Sequence, residues 1–294
     1  MAPTPGPAVP VRSLTATEQR QWSDAGYLLL RDVVSRAAIQ QMRALYAHVA
    51  ETFLEQLRAE GLITELHPDL PFERRFAVAA GKHAAKFGRG WRRAVAQRAV
   101  FDLHHDPALL DVVAELLGGD VIGHPIFNAR PKLPGQQLTV VPWHQDSSYF
   151  GPASEQILIL TCWIPLVPVD AKNGCLQVIP GSHRERLHPH LQEDREGQFL
   201  ELPASVVDES RAVTVPMAPG DALLFTNLTI HRSLPSVADT IRWSIDIRFL
   251  RDGARPDQAA AQWPDADFEW VVRSRTRPAT TFESWHQQTS RFTW

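Results

Sequence analysis

The chain's clearest pattern is a stripe of apolar residues at Ile39, Met42, Tyr46, Val49, Phe53 and Leu57. Steps of three and four put these side chains on one face of a helix, and Ser35 stands where its N-cap should be. An earlier helix is marked by Thr15-Ala16-Thr17-Glu18, a capping box in which hydroxyl and carboxylate satisfy each other's free amides. Gly26 stops it, and Tyr27 to Val33 reads as a short strand. Asp106-Pro107 opens a further helix, which runs through Leu117 and ends at Gly118-Gly119. The stretch 62–93 reads as irregular, broken by His67-Pro68-Asp69-Leu70-Pro71.

Beyond Asp120 the pattern shortens. Apolar and β-branched runs at 121–127, 136–143, 157–165, 175–179, 212–217, 222–226 and 241–250 are bounded by Pro, Gly and Asn. Short strands at this spacing predict an antiparallel sandwich or barrel, not alternating strand and helix. A polar insertion at 182–210 carries His183, Arg184, Arg186, His188 and His190, the kind of long segment that serves as a lid or pocket wall. The tail 251–294, with Trp263, Trp270, Trp285 and Trp294, is expected to pack across the outside of the sheet. The expected class is mainly β with N-terminal helices, in one domain over 1–294. Its parts are a helical support at 1–120, a core at 121–250 and a C-terminal extension at 251–294.

Composition narrows the function. With 30 Lys+Arg against 33 Asp+Glu, the formal charge is −3, so the basic excess that nucleic acid demands is missing. Two cysteines give neither a disulfide framework nor a CxxC zinc knot. No apolar run approaches the roughly twenty residues of a membrane span, and Met1 to Pro7 lacks the order of a signal peptide. The expected location is the cytoplasm. Twelve histidines against two cysteines direct attention to nitrogen-and-oxygen metal chemistry.

In a strand, side chains at i and i+2 share a face, so His144 and Asp146 can grip one ion. His231 follows 87 residues later, after the apolar run 222–230. Two imidazoles and one carboxylate on one face of an octahedron make the triad of non-heme Fe(II) oxygenases. An HxD pair also arises wherever a His merely hydrogen-bonds a neighbouring Asp. The order HxD, late His, then Arg on the next strand separates the two readings. That arginine is Arg242, eleven residues past His231. A buried guanidinium there would hold the far carboxylate of metal-bound 2-oxoglutarate, with Ser233 adding a hydroxyl; the plain alternative is a surface Arg opening a strand. From Arg242 to Phe249 the residues alternate, Arg242, Ser244, Asp246 and Arg248 against Trp243, Ile245, Ile247 and Phe249, which gives one polar and one packed face.

Three blocks then stand out: Trp143-His-Gln-Asp-x-x-Tyr149-Phe150, Asn173-Gly-Cys-Leu-x-Val-Ile-Pro-Gly-Ser-His183, and Pro219-Gly-Asp221 leading to Ile230-His231-x-Ser233 and Arg242. With the opening Thr15-x-x-Glu18 and Asp24-Ala-Gly26-Tyr27, these resemble the phytanoyl-CoA dioxygenase (PhyH-like) family of Fe(II)/2-oxoglutarate oxygenases. The resemblance implies a double-stranded β-helix (jelly roll, cupin-like) core, with Fe(II), 2-oxoglutarate and O2 as cofactor and co-substrates. It implies that His144, Asp146 and His231 bind iron and that Arg242 and Ser233 hold 2-oxoglutarate. Gln145 and Trp163 would line the co-substrate site, and Lys86, of the Lys82–Lys86 region, would contact it. His183 and the Asn173-Gly174 turn read as structural.

The resemblance also implies a dioxygenase that hydroxylates an aliphatic C–H of a small molecule, releasing succinate and CO2. The carboxylate of Asp146 disfavours halogenation, whereas desaturation, epoxidation and cyclisation stay open. Tyr149, Phe150, Phe127 and Trp91 are candidate apolar lining, and Arg184, Arg186, His188 and His190 candidate contacts to an acidic substrate; plain core and solvated loop are the other readings. The substrate class is a natural product or lipid-like acid, either free or linked to coenzyme A or a carrier protein. Oligomeric state stays open. Two rivals share these residues: a silent metal and 2-oxoglutarate sensor, and a cupin-like isomerase that would have no use for Arg242.

Overall fold

The N-terminal helices form where their caps place them. In the computed structural model, which describes residues 12–88, 90–136, 139–192, 199–254 and 270–290, the Thr15–Glu18 box closes helix α1 (Ala16–Ala25). Gly26, at φ 74°, ends that helix. A side chain here would meet the His183 ring at 2.2 Å, so the turn needs glycine for both conformation and space. Strand β1 (Tyr27–Leu30) follows, then α2 (Arg36–Ala59) capped by Ser35. The stripe is buried in α2 except that Leu54 replaces the half-buried Phe53.

The stretch 62–93 is irregular only as far as Pro71. It holds α3 (Phe72–Ala80), a 3-10 helix at Gly81–Phe87 and α4 (Gly90–Ala94). Pro71 is the reason: it sits at the N-cap of α3, where a missing N–H costs nothing, and so begins an element instead of breaking one. Helices α5 (Arg98–His104) and α6 (Pro107–Leu117) come next, α6 capped by Asp106 and ended by Gly118.

The strands are β2 (Val121–Gly123), β3 (Asn128–Ala129), β4 (Ile159–Pro165), β5 (Leu176–Val178), β6 (Leu191–Gln192), β7 (Leu200–Glu201), β8 (Val213–Val215), β9 (Ala222–Thr226), β10 (His231–Ser233), β11 (Ser244–Arg251) and β12 (Val271–Arg273). A large antiparallel sheet runs β1-β9-β4-β11-β2-β12, with β3 also on β11. A small sheet runs β10-β5-β8, and β6 pairs with β7. Among the described residues of 136–143 there is no named strand; Gln137 and Leu138 of that expectation lie outside the described residues. The helices hold more residues than the strands, so the chain is a mixed helix and sheet protein, not mainly β. Tight turns, long loops and the newly found α3 to α5 account for the difference.

The packed face of β11 meets the helices. Trp243 lies beneath Tyr46 of α2, Phe72 and Phe76 of α3 and Trp91 of α4, a cluster of large rings whose burial anchors the support to the sheet. Trp91 is therefore core, not pocket lining. In the C-terminal extension β12 extends the large sheet at β2, while Trp270 and Trp285 of that extension and α7 (Phe282–Thr289) bury against Phe101 of α5. Trp263 and Trp294 lie outside the described residues. No described helix is long and apolar enough to cross a membrane.

Candidate metal centre

Two backbone hydrogen bonds of 3.0 Å join His144 and His231 as a directly opposed antiparallel pair. Their rings lie 4.2 Å apart. The ladder stops there, because Asp146 begins a 3-10 helix (Asp146–Tyr149) instead of continuing a strand. Asn227 holds that turn: its backbone carbonyl accepts from Ser147 N–H, and its amide donates to Ser147 Oγ and Ser154 O. Asp146 Oδ1 then lies 3.5 Å from His144 Nε2 and 3.9 Å from His231 Nε2. Among the described residues these three form the one cluster of at least three ligand side chains whose donor atoms all lie within 4.8 Å of one another, and all are buried.

The donors are in the form a divalent ion needs. His144 Nδ1 lies 2.9 Å from Pro142 O and His231 Nδ1 2.9 Å from Thr229 O, so each Nδ1 carries the proton and each Nε2 offers a lone pair. Burial, with the neighbouring His144 second, lowers the His231 pKa to about 3 and keeps the ring neutral. Burial alone would raise the pKa of Asp146, but Arg248 and the two imidazoles outweigh it and hold the carboxyl well below its ordinary range. The cluster fits a divalent metal bound by two neutral nitrogens and one carboxylate oxygen.

Beside it lies a second, different arrangement. Arg242 is 5% exposed and Lys132 is 0% exposed, and the two are backbone-paired. The Arg242 guanidinium lies 5.2 Å above the Trp163 ring and donates through Nη1 to Gly174 O at 2.8 Å, leaving Nε without a partner. Lys132 Nζ donates to Thr139 O at 2.8 Å. No ion pair joins either cation to a carboxylate among the described residues. Burial first, and Arg242 second, lower the Lys132 pKa to about 6; burial lowers Arg242 to about 10. Gly174, at φ 85°, is the hinge, since a side chain there would strike Lys132 Cδ at 2.4 Å. Ser233, two residues along β10 from His231, is buried and its Oγ accepts from Val141 N–H.

The profile of the phytanoyl-CoA dioxygenase (PhyH) family matches residues 22–244, most of the chain. The chain belongs to the PhyH family. A probable phytanoyl-CoA dioxygenase of Caenorhabditis elegans is 25% identical over 250 residues, covering 81% of this chain and 76% of that protein. The 1-deoxypentalenic acid 11-beta-hydroxylase of Streptomyces arenae is 29% identical over 178 residues, covering 56% and 62%. Among solved structures, the non-heme monooxygenase ThoJ superposes with a TM-score of 0.61 at 21% identity, over 87% of this chain and 83% of its own. The carbocyclase SnoK from nogalamycin biosynthesis gives 0.51 at 19% identity, over 84% and 87%. At these identities the structures show a shared fold. With the family comes the class: this PhyH protein is an oxidoreductase of the dioxygenase kind, and its His144-Asp146-His231 cluster has the donors to hold a metal ion.

Other expected site residues of this PhyH chain go elsewhere. Lys86 is on the surface, paired with Glu60 at the end of α2. The lysine beside Arg242 is Lys132, and its signal in the sequence was slight: one of only four lysines, just before Leu133-Pro134-Gly135. Gln145 is held mainly by the insertion. Its amide donates to Arg186 O and Leu228 O, its Oε1 accepts from His188 N–H, and its own N–H meets His190 Nε2. It therefore fastens the insertion to the HxD turn. Trp163 is the floor beneath Arg242.

Of the candidate substrate contacts, Arg184 pairs with Asp24 in the last turn of α1, and His188 with Glu185 in its own loop. The Arg186 side chain is 90% exposed near Glu155. Phe150 is core, packed with Ile122, Ile126 and Ile159, and Phe127 is fully buried. Tyr149 alone of this set faces the metal ligands, its ring 5.8 Å from that of His144 and its hydroxyl accepting from Leu200 N–H. The residues not anticipated are Arg248, Thr161 and Asp246, which surround the far side of Asp146.

Proposed function

We propose that this protein is an Fe(II)/2-oxoglutarate-dependent dioxygenase that hydroxylates an aliphatic C–H of a small organic acid. The observation that carries this reading is the pairing of a neutral-nitrogen and carboxylate cluster with an anion hole made of the buried Arg242 guanidinium and the buried Lys132 amine. A buried cation without counter-ion costs about several kcal/mol, and a dicarboxylate placed between ion and hole relieves that cost. A metal-binding isomerase on a similar barrel would have no use for such a hole.

His144, Asp146 and His231 would hold the iron. Bound there, iron with 2-oxoglutarate and O2 supplies an oxidant for unactivated C–H bonds, yielding succinate and CO2. The chain's own part is positional. Arg242, Lys132 and the Ser233 hydroxyl bind the far carboxylate, which aims the keto acid end at the metal ligands. Trp163 closes the floor of that slot and excludes water. Tyr149 and the insertion that Gln145 fastens form the wall on the substrate side.

We read residues 1–294 as a single oxygenase unit. The large and small sheets are the halves of a double-stranded β-helix, with the metal ligands between them. The Streptomyces hydroxylase it resembles is named for a carboxylic acid, 1-deoxypentalenic acid, which supports a natural-product or lipid-like acid here too. Anaerobic addition of 2-oxoglutarate to the Fe(II)-loaded protein should give a weak visible charge-transfer band, and a screen of acids should find one that perturbs it and drives succinate release. A loaded protein that shows no band and releases no succinate overturns the proposal.

A further inference from the structure

Asp146 is held differently at its two oxygens, and the difference comes from the large sheet. On β11, Asp246 and Arg248 are two residues apart and so share a face, and Arg248 is directly opposite Thr161 on β4. All three turn toward the HxD turn. Arg248 donates to Asp146 Oδ2 from Nε at 3.2 Å and from Nη2 at 3.1 Å. Thr161 Oγ1 donates to the same oxygen at 2.9 Å. Arg248 is held in its turn by Asp246 Oδ1, 2.6 Å from Nη1, and Asn128 Nδ2 donates to that same Oδ1 at 2.9 Å. Arg248, Thr161 and Asp146 are each no more than 5% exposed.

A carboxylate oxygen has two lone-pair directions, and three donors leave Oδ2 none to spare. Oδ1, which faces both histidine Nε2 atoms, receives no donor from this set. We infer that Arg248, with Thr161, is the positioning residue that restricts Asp146 to a single metal-ligating oxygen and thereby keeps a coordination position open for co-substrate. A carboxylate free to turn would chelate through both oxygens and take that position itself. The role needs the planar fork of arginine, because Nε and Nη2 must reach one oxygen while Nη1 reaches Asp246; a lysine offers one centre for both.

This inference rests on the metal site proposed above, and the test separates the two. Co(II) replaces iron as a spectroscopic probe, under anaerobic conditions and with full-length protein. Wild type should bind one Co(II), and 2-oxoglutarate should change its visible ligand-field band. Arg248→Met should weaken Co(II) binding by about tenfold to a hundredfold, the usual range for losing an outer partner of a ligand, and alter the band before any 2-oxoglutarate is added. The later response to 2-oxoglutarate should shrink, and Arg248→Lys should restore little of it.

Thr161→Val, a milder change, should shift affinity and band in the same direction, and Thr161→Ser should restore both. If Arg248→Met fails to fold, the Thr161 pair decides. Loss of thermal stability with wild-type Co(II) affinity and spectrum in Thr161→Val and in any folded Arg248 variant would mean a structural role only, and overturns the inference. No Co(II) binding in wild type would overturn the metal reading itself.

Discussion

Two buried charge clusters are built on opposite principles. In the first, Asp146-Arg248-Asp246, each charge faces an opposite one within 3.2 Å, and the excess negative charge is at Asp146, whose Oδ1 faces the histidine pair. Burial alone would lower the pKa of Arg248, yet the two carboxylates overcome it and raise the value. The second, Lys132-Arg242, has two basic groups and no ion-paired carboxylate among the described residues, and both have lowered pKa values. In one cluster the fold supplies the arginine's counter-ions; in the other it supplies none. A protein supplies counter-ions where it wants rigidity and withholds them where it wants binding.

The hardest test of the first cluster is to remove its metal-facing carboxylate. Asp146→Ala should abolish metal-dependent succinate formation, a loss on the order of a thousandfold or more, and leave no bound iron by elemental analysis. In the second cluster, Arg242→Leu should raise the KM for 2-oxoglutarate about a hundredfold, the ~3 kcal/mol common when a buried charge loses its partner. The kcat at saturation should change far less. An equal fall in both constants would mean that Arg242 is not the co-substrate's anchor.

The boundary between what could and could not be read in advance follows the range of the contacts. The HxD pair and the polar face of β11 are legible because they rest on a two-residue period within one strand or turn, and His231 because it follows an apolar run and precedes Arg242 in a known order. The caps of α1, α2 and α6 are legible because they too are local. The fastening role of Gln145 is not legible, because its partners are 41 or more residues away, Arg186 and His188 in a loop with no periodicity and Leu228 just after β9. Lys132 was missed because its burial depends on the Gly174 turn, 42 residues further on. Phe150 and Trp91 were offered as lining, yet a ring's sequence position carries no sign of whether it faces core or cavity. Arg248 showed only as one polar position in an alternation; its role appears once β4 sets Thr161 opposite it.

Lys132→Met carries the comparison into stability. It should weaken 2-oxoglutarate binding about tenfold, close to what one charge-assisted bond contributes, while raising the melting temperature of the ligand-free protein, because it replaces a buried amine that must give up its proton on folding by an apolar side chain of similar length. Arg248→Met should lower that temperature. A fall in both would erase the distinction between the clusters. The effect on pH follows. In the folded chain Lys132 titrates near 6 against an ordinary 10.5, so between those values the unfolded chain binds the extra proton. Ligand-free stability should therefore rise with pH across that window, and Lys132→Met should flatten the rise. For the same reason, binding 2-oxoglutarate at pH 7.5 should take up close to one proton, read by calorimetry in buffers of different ionisation enthalpy.

The smallest effect is expected at the lysine that the family resemblance favoured. The Lys86 side chain is 44% exposed, and its partner Glu60 is 38% exposed. An exposed pair of this kind contributes little, because water screens it and two long side chains must be ordered to make it. Lys86→Met should leave the KM for 2-oxoglutarate within about twofold of wild type, and the same change at Lys132 should not. If Lys86→Met matched Lys132→Met in its loss of co-substrate binding, then exposure and pairing would be poor guides to which cation a ligand completes. A null result at Lys86 beside a clear one at Lys132 would tie the anion site to the cation that the fold has stripped of both water and counter-ion.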